Sequence, residues 1–248
     1  MKKTIGVIAH VDSGKTTFSE QLLFHTKSIK SLGRVDHQDA YLDNHELEKS
    51  RGITIFSEQG RLQYGGHTYT LIDTPGHVDF SPEMERAIRA MDYAILIISA
   101  VEGIQGHTET VWQLLRDYHV PTFMFINKID REGADVAAVM QALQQEFSPN
   151  IVLVNNLEDA AEFVAERNEQ LLDKFMEESL TNEEIVHAMQ QHIKQQEAFV
   201  AMSGSALKSM GVMEFFNVFH QLTTSSYDPT APFQADVIKI RHDGEQRL

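Results

Sequence analysis

Apolar positions along the chain follow two alternating rhythms: short unbroken runs, and longer stretches with helical spacing. Residues 5–9 form a short apolar run that enters a turn containing Gly14, and 15–25 then carry helical spacing. Residues 61–64 and 67–72 read as a hairpin pair around Gly65-Gly66. A helical stretch at 82–91 precedes the continuous apolar run 93–99, the signature of a central parallel strand covered on both faces. Residues 106–118 read as helix, 122–126 as another buried strand, 134–147 as helix, 199–202 as strand and 212–222 as helix. This alternation predicts an α/β fold: a doubly wound, mostly parallel sheet with helices on both faces and ligand at the carboxyl ends of the strands.

Two stretches break the rhythm. Residues 30–52 are polar and aperiodic, with Asp36, Asp39, Asp43, Glu46 and Glu48; a loop of that length is usually functional or mobile. Residues 158–197 are rich in Glu and Gln. Their apolar positions (Phe163, Val164, Leu171, Leu172, Phe175, Met176, then Ile185, Val186, Met189 and Ile193) predict amphipathic helices packed on a core. The expected organisation is one domain over 1–222 with a helical insertion at about 150–198, a turn-rich linker over 223–232, and a new strand pattern over 233–248.

Composition narrows the classes. With 248 residues and 42% hydrophobic content, the chain can bury a core without staples. It has no cysteine, which excludes a disulfide framework and any thiolate metal site and fits a reducing, cytoplasmic setting. The N-terminal run is interrupted by His10 and lacks a small-residue cleavage site, so it reads as a strand and not a signal peptide. No stretch approaches the roughly 20 apolar residues of a membrane span, and no membrane partner is expected. Net charge is −15, from 21 basic and 36 acidic residues. That field argues against sequence-independent binding of DNA. It is compatible with a solubilising surface or with a polyanionic partner that meets one local patch.

The chemistry lies in four short motifs. Ala9, His10, Val11, Asp12, Ser13, Gly14, Lys15, Thr16 and Thr17 spell a P-loop, with alanine where the usual form has glycine. It follows a strand and opens a helix, so backbone N–H groups face a phosphate. Gly14 allows close approach, Lys15 brings a cation to the β/γ oxygens, and the Thr16 hydroxyl is placed for Mg²⁺. Residues 73–77 read DTPGH. Asp73 at a strand end is a candidate magnesium residue and Gly76 a candidate γ-phosphate donor, although a helix cap and an ordinary turn are alternatives for this segment.

Residues 127–130 read NKID, after another strand. The Asp130 carboxylate can accept from N1–H and N2–H₂ of guanine, a donor pair that adenine lacks. Asn127 would brace the loop, and the Lys128 stem can lie along the base. Residues 203–207 read SGSAL, where Ser205, Ala206 and Leu207 form a candidate edge for the base and Ala206 N–H a donor to guanine O6. Taken alone, NKID reads first as a loop with a helix N-cap and SGSAL as an N-cap. All four motifs in order, each after a predicted strand, point to one guanine-nucleotide site.

AHVDSGKTT, RGITI (51–55), DTPGHVDF (73–80), NKIDREGAD (127–135) and SGSAL together resemble the G domain of translational GTPases, of the elongation factor G and tetracycline-resistance ribosomal protection type. The resemblance runs over nearly all of 3–240, with the acidic helical segment at the place of a G-domain insertion. It implies GTP hydrolysis with Mg²⁺ and GTP or GDP as ligand. It implies the ribosome as partner, with rRNA touching the switch regions, and a second β-barrel domain beginning at 233. A fragment, monomeric by itself, is therefore expected. It implies that Thr54 is the switch I threonine on Mg²⁺, His77 the residue positioning the attacking water, Val11 and Ile53 its apolar flank, and Asp12 an organiser of His77. Arg34 and Arg51 are expected to be structural. Much of 33–52 is expected to lack order without GTP, and Val78 argues against the release-factor-like branch. The rival readings are a P-loop ATPase or kinase and a GTP-sensing module without hydrolysis.

Overall fold

In the computed structural model the longest apolar runs occupy the middle of a seven-stranded sheet. The structure describes residues 1–33, 58–75, 81–225 and 230–232, with Val237 and the pairs 242–243 and 246–247. The strands are β1 (Lys2–Ala9), β2 (Glu58–Tyr64), β3 (His67–Asp73), β4 (Tyr93–Ser99), β5 (Thr122–Asn127), β6 (Ile151–Leu153) and β7 (Phe199–Ser203). Their order is β2-β3-β1-β4-β5-β7-β6, and only β2 pairs antiparallel. A separate two-residue ladder joins β8 (His242–Asp243) to β9 (Gln246–Arg247).

Alternation along each strand divides the core between the two faces. In β4, Tyr93, Ile95 and Ile97 point to one face, while Ala94, Leu96 and Ile98 point to the other. The first face is covered by α1 (Lys15–His25), α7 (Asn182–Lys194) and α8 (Val212–Leu222). The second is covered by α2 (Ser81–Ile88), α3 (Gly106–Asp117) and α4 (Val136–Glu146). Burial on both faces is why β4 and β5 read as unbroken apolar runs.

The structure departs from the sequence expectation in three places. Residues 151–153, inside the expected insertion, form the edge strand β6. Only Ile151 in it is fully buried, so a three-residue strand left no periodic signal. The helical part then runs from a 3₁₀ turn at Leu157–Ala160 through α5 (Ala161–Ala165), α6 (Glu169–Met176) and α7. Thr181 and Glu184 close a reciprocal capping box at the start of α7, which fixes where that helix begins. Helix α7 buries Ile185, Met189 and Ile193. Helix α6 buries nothing fully, and Leu172, Phe175 and Met176 stay exposed. It packs chiefly beside the short α5, with Leu171 half-buried against the core, so amphipathic spacing there brings only partial burial. Finally, the first linker residues are bound to the sheet. Lys3 Nζ donates to the Thr223 carbonyl at 2.6 Å and to Thr223 Oγ1 at 2.8 Å, and Tyr93 Oη donates to the Thr224 carbonyl at 2.9 Å. Among the described residues, no helix is long and apolar enough to cross a membrane.

Candidate functional site

The parallel strands share one direction, so the four motifs leave β1, β3, β5 and β7 at a single sheet edge. The two charges at the phosphate end meet there. Lys15 Nζ donates to Asp73 Oδ2, with only 7% of the lysine side chain and none of the aspartate exposed. Ser19 Oγ donates to Asp73 Oδ1 at 3.4 Å. Thr74 sets the position of Asp73: its hydroxyl donates to the Val7 carbonyl at 2.9 Å and ties the end of β3 to β1. Motif reasoning gives Thr74 no role of its own. A hydroxyl beside a charged strand end is the only signal the sequence offers for it.

The P-loop turns through two left-handed residues, Asp12 (φ 61°) and Gly14 (φ 95°). Ser13 N–H closes the turn on the His10 carbonyl at 3.2 Å. Gly14 is the N-cap of α1, whose first turn holds no acidic residue and no side-chain cap. Its leading N–H groups thus face the sheet edge without a competing anion from that turn. Ala9, Ser13 and Lys15 are buried, His10, Val11, Thr16 and Thr17 half-buried or nearly so, and Asp12 exposed.

Asn127 joins three motifs. Its Nδ2 donates to the Ser13 carbonyl at 2.8 Å, and its Oδ1 accepts from Ala206 N–H at 2.8 Å. These two bonds tie the end of β5 to the P-loop and to the loop after β7. The Ala206 amide, expected to address guanine O6, is here engaged by Asn127, because β5 and β7 are adjacent and end level with each other. The loops after these strands are also stitched by Ile129 N–H to the Gly204 carbonyl at 3.3 Å. A hydrogen bond from Ser205 holds the Asp130 carboxyl below its usual range against a small burial penalty, helped by Lys208 and Arg131. Asp130 is thus an exposed, ionised acceptor at the rim, and Leu207, two residues after Ser205, is half-exposed.

Thr54, Gly76 and His77 lie outside the described residues, as do Arg34, Arg51, Ile53, Val78 and, apart from Gly33, the stretch expected to lack order. No cluster of three or more His, Asp or Glu suited to a metal occurs among the described residues. Among the described residues the edge presents the buried Asp73 carboxylate, bonded to Lys15 and Ser19, with Thr16 next in sequence to Lys15. That suits a hard ion completing its shell with phosphate oxygens and water.

Residues 2–225 match the elongation factor Tu GTP binding domain family. The chain belongs to this family. Its G domain is 46% identical over 168 residues to elongation factor G 1 of Treponema pallidum (strain Nichols), covering 65% of this chain and 24% of that protein. It is 44% identical over 161 residues to the tetracycline resistance protein TetP of Clostridium perfringens, covering 64% and 25%. With TetM from transposon Tn5251 of Streptococcus pneumoniae it shares 36% identity over 263 residues, covering 98% of this chain and 41% of that protein. The chain thus spans well under half the length of these curated relatives. A crystal structure of a Thermus thermophilus protein shares the fold with a TM-score of 0.82 at 23% identity, covering 90% of this chain and 40% of that one.

Proposed function

We propose that this G domain is the GTP-hydrolysing switch of an elongation factor G-like factor that acts on the ribosome in the cytoplasm. The observation that carries the reading is the meeting of Lys15, Asp73 and Asn127 at one sheet edge, beside the start of α1. Lys15 and the P-loop amides bind and orient the β- and γ-phosphates of GTP, and Asp130 selects guanine. Thr16, Asp73 and, by family resemblance, Thr54 hold Mg²⁺, which supplies charge neutralisation on the phosphates when bound. His77, organised by Asp12, positions the attacking water for in-line displacement. No covalent intermediate forms, so catalysis is mainly positioning and electrostatics. Loss of the γ-phosphate frees Thr54 and Gly76, and the switch relaxes.

The test is phosphate release from GTP by the chain, with and without ribosomes. Slow intrinsic turnover, stimulation by ribosomes, and loss of stimulation in His77→Ala with GDP binding retained are the expected results. Unchanged stimulated turnover in His77→Ala sinks the assignment of His77. A second reading, ribosomal protection against tetracycline, rests on the similarity to TetP and TetM. Release of tetracycline from ribosomes without tRNA translocation would select it.

A further inference from the structure

The loop between β4 and α3 carries none of the four motifs, yet it lies against the NKID segment, with His10 of the P-loop near its Glu102. Ala100 N–H donates to the Asn127 carbonyl at 2.7 Å, and Asp135 N–H donates to the Ala100 carbonyl at 2.9 Å, so the loop is stitched to the NKID segment. Ser99 shapes its turn. The Ser99 hydroxyl accepts from Val101 N–H and Glu102 N–H, both at 3.3 Å, and Gly103 N–H donates to the Ser99 carbonyl at 2.9 Å. This turn aims Glu102 at Lys128, whose Nζ donates to Glu102 Oε2 at 3.2 Å. Lys128 has φ 67°, a left-handed conformation that costs a lysine about 1 kcal/mol and persists only where neighbours hold it. The Glu102 carboxyl sits below its usual range: burial opposes this, but hydrogen bonds from Ser99 and Lys128 and the nearby His10 of the P-loop outweigh it.

We infer that Glu102 is a positioning residue for guanine recognition, anchoring the Lys128 ammonium so that its aliphatic stem lies extended along the base plane. A free lysine has four rotatable side-chain bonds and must lose that freedom when a base docks. Glu102 removes part of the loss in advance, and it does so without touching the nucleotide. The inference rests on the proposed role of Lys128 at the base.

Dissociation of a fluorescent GDP analogue from the full 248-residue chain tests it, using Glu102→Gln, Glu102→Asp, Lys128→Gln and the double variant Glu102→Gln/Lys128→Gln. Glu102→Gln is expected to speed dissociation about three- to fivefold at low salt, with a smaller difference at high salt. Glu102→Asp should recover part of the loss, and in the Lys128→Gln background Glu102→Gln should add nothing. A purely structural role would accelerate release equally in both backgrounds, and that result overturns the inference, as does an unchanged rate in Glu102→Gln. Failure of the wild-type chain to bind the analogue overturns the guanine-site reading itself, which is a separate outcome.

Discussion

In the proposed nucleotide site, base identity is assigned to Asp130. An exposed carboxylate kept ionised by Ser205 offers two acceptor oxygens to a guanine edge. Asp130→Asn replaces one acceptor with a donor. GDP affinity should fall on the order of 100-fold and xanthosine nucleotides should bind in preference. Competition of GDP, XDP and ADP against a labelled nucleotide measures this. Equal competition by ADP at the wild-type site would contradict guanine selection. Asn127 shows what single residues do not reveal in sequence. NKID marks it as a loop residue, but its bonds to Ser13 and Ala206 span 114 and 79 residues of chain. Such a bond exists only once β1, β5 and β7 lie in one sheet.

Among the elements, the P-loop and the helix it opens tolerate little change at Gly14. A Cβ on Gly14 would lie 2.3 Å from Asn127 Nδ2, and Asn127 is held by two hydrogen bonds and cannot swing away cheaply. The left-handed φ of Gly14 adds a second penalty. Gly14→Ala should therefore lose nucleotide binding by calorimetry and about 1–3 kcal/mol of stability in urea. Helix α8 supports the same region from beneath. The Phe215 ring, 1% exposed, packs edge-on to Phe18 of α1 at 5.7 Å and to Phe125 of β5 at 5.4 Å. Phe215→Ala should cost about 3–5 kcal/mol and lower the melting temperature. A loss under about 1 kcal/mol would mean that α8 does not support the site. The long helices and buried strands were legible because their periodic runs are long. The short β6 and the exposed face of α6 were not, since three residues carry no period and spacing cannot say which face finds a partner.

At the scale of the whole molecule, the Lys3 bond to Thr223 closes the domain across 220 residues of chain. Burial brings the Lys3 ammonium down from its ordinary 10.5 to about 8, against an opposing pull from Asp92. Between those values the unfolded chain holds a proton that the folded chain has released, so this group makes stability rise with pH there. The wild type should gain on the order of 2 kcal/mol relative to Lys3→Met between about pH 8 and 10, read from urea midpoints. Parallel curves for the two proteins would refute it.

The amino-acid sequence by itself determined the chemistry on offer: a P-loop, a strand-end carboxylate proposed for magnesium and an aspartate proposed to read guanine, each after an apolar run. Those are local properties, set by residue type and spacing within a few positions. Only the tertiary structure decided that Lys15 reaches Asp73, that Asn127 ties the phosphate loop to Ala206, and that Glu102 faces Lys128. Each of these contacts depends on which strands become neighbours. Strand order is a property of the folded sheet, where burial on both faces and parallel crossovers select one arrangement of otherwise similar apolar segments.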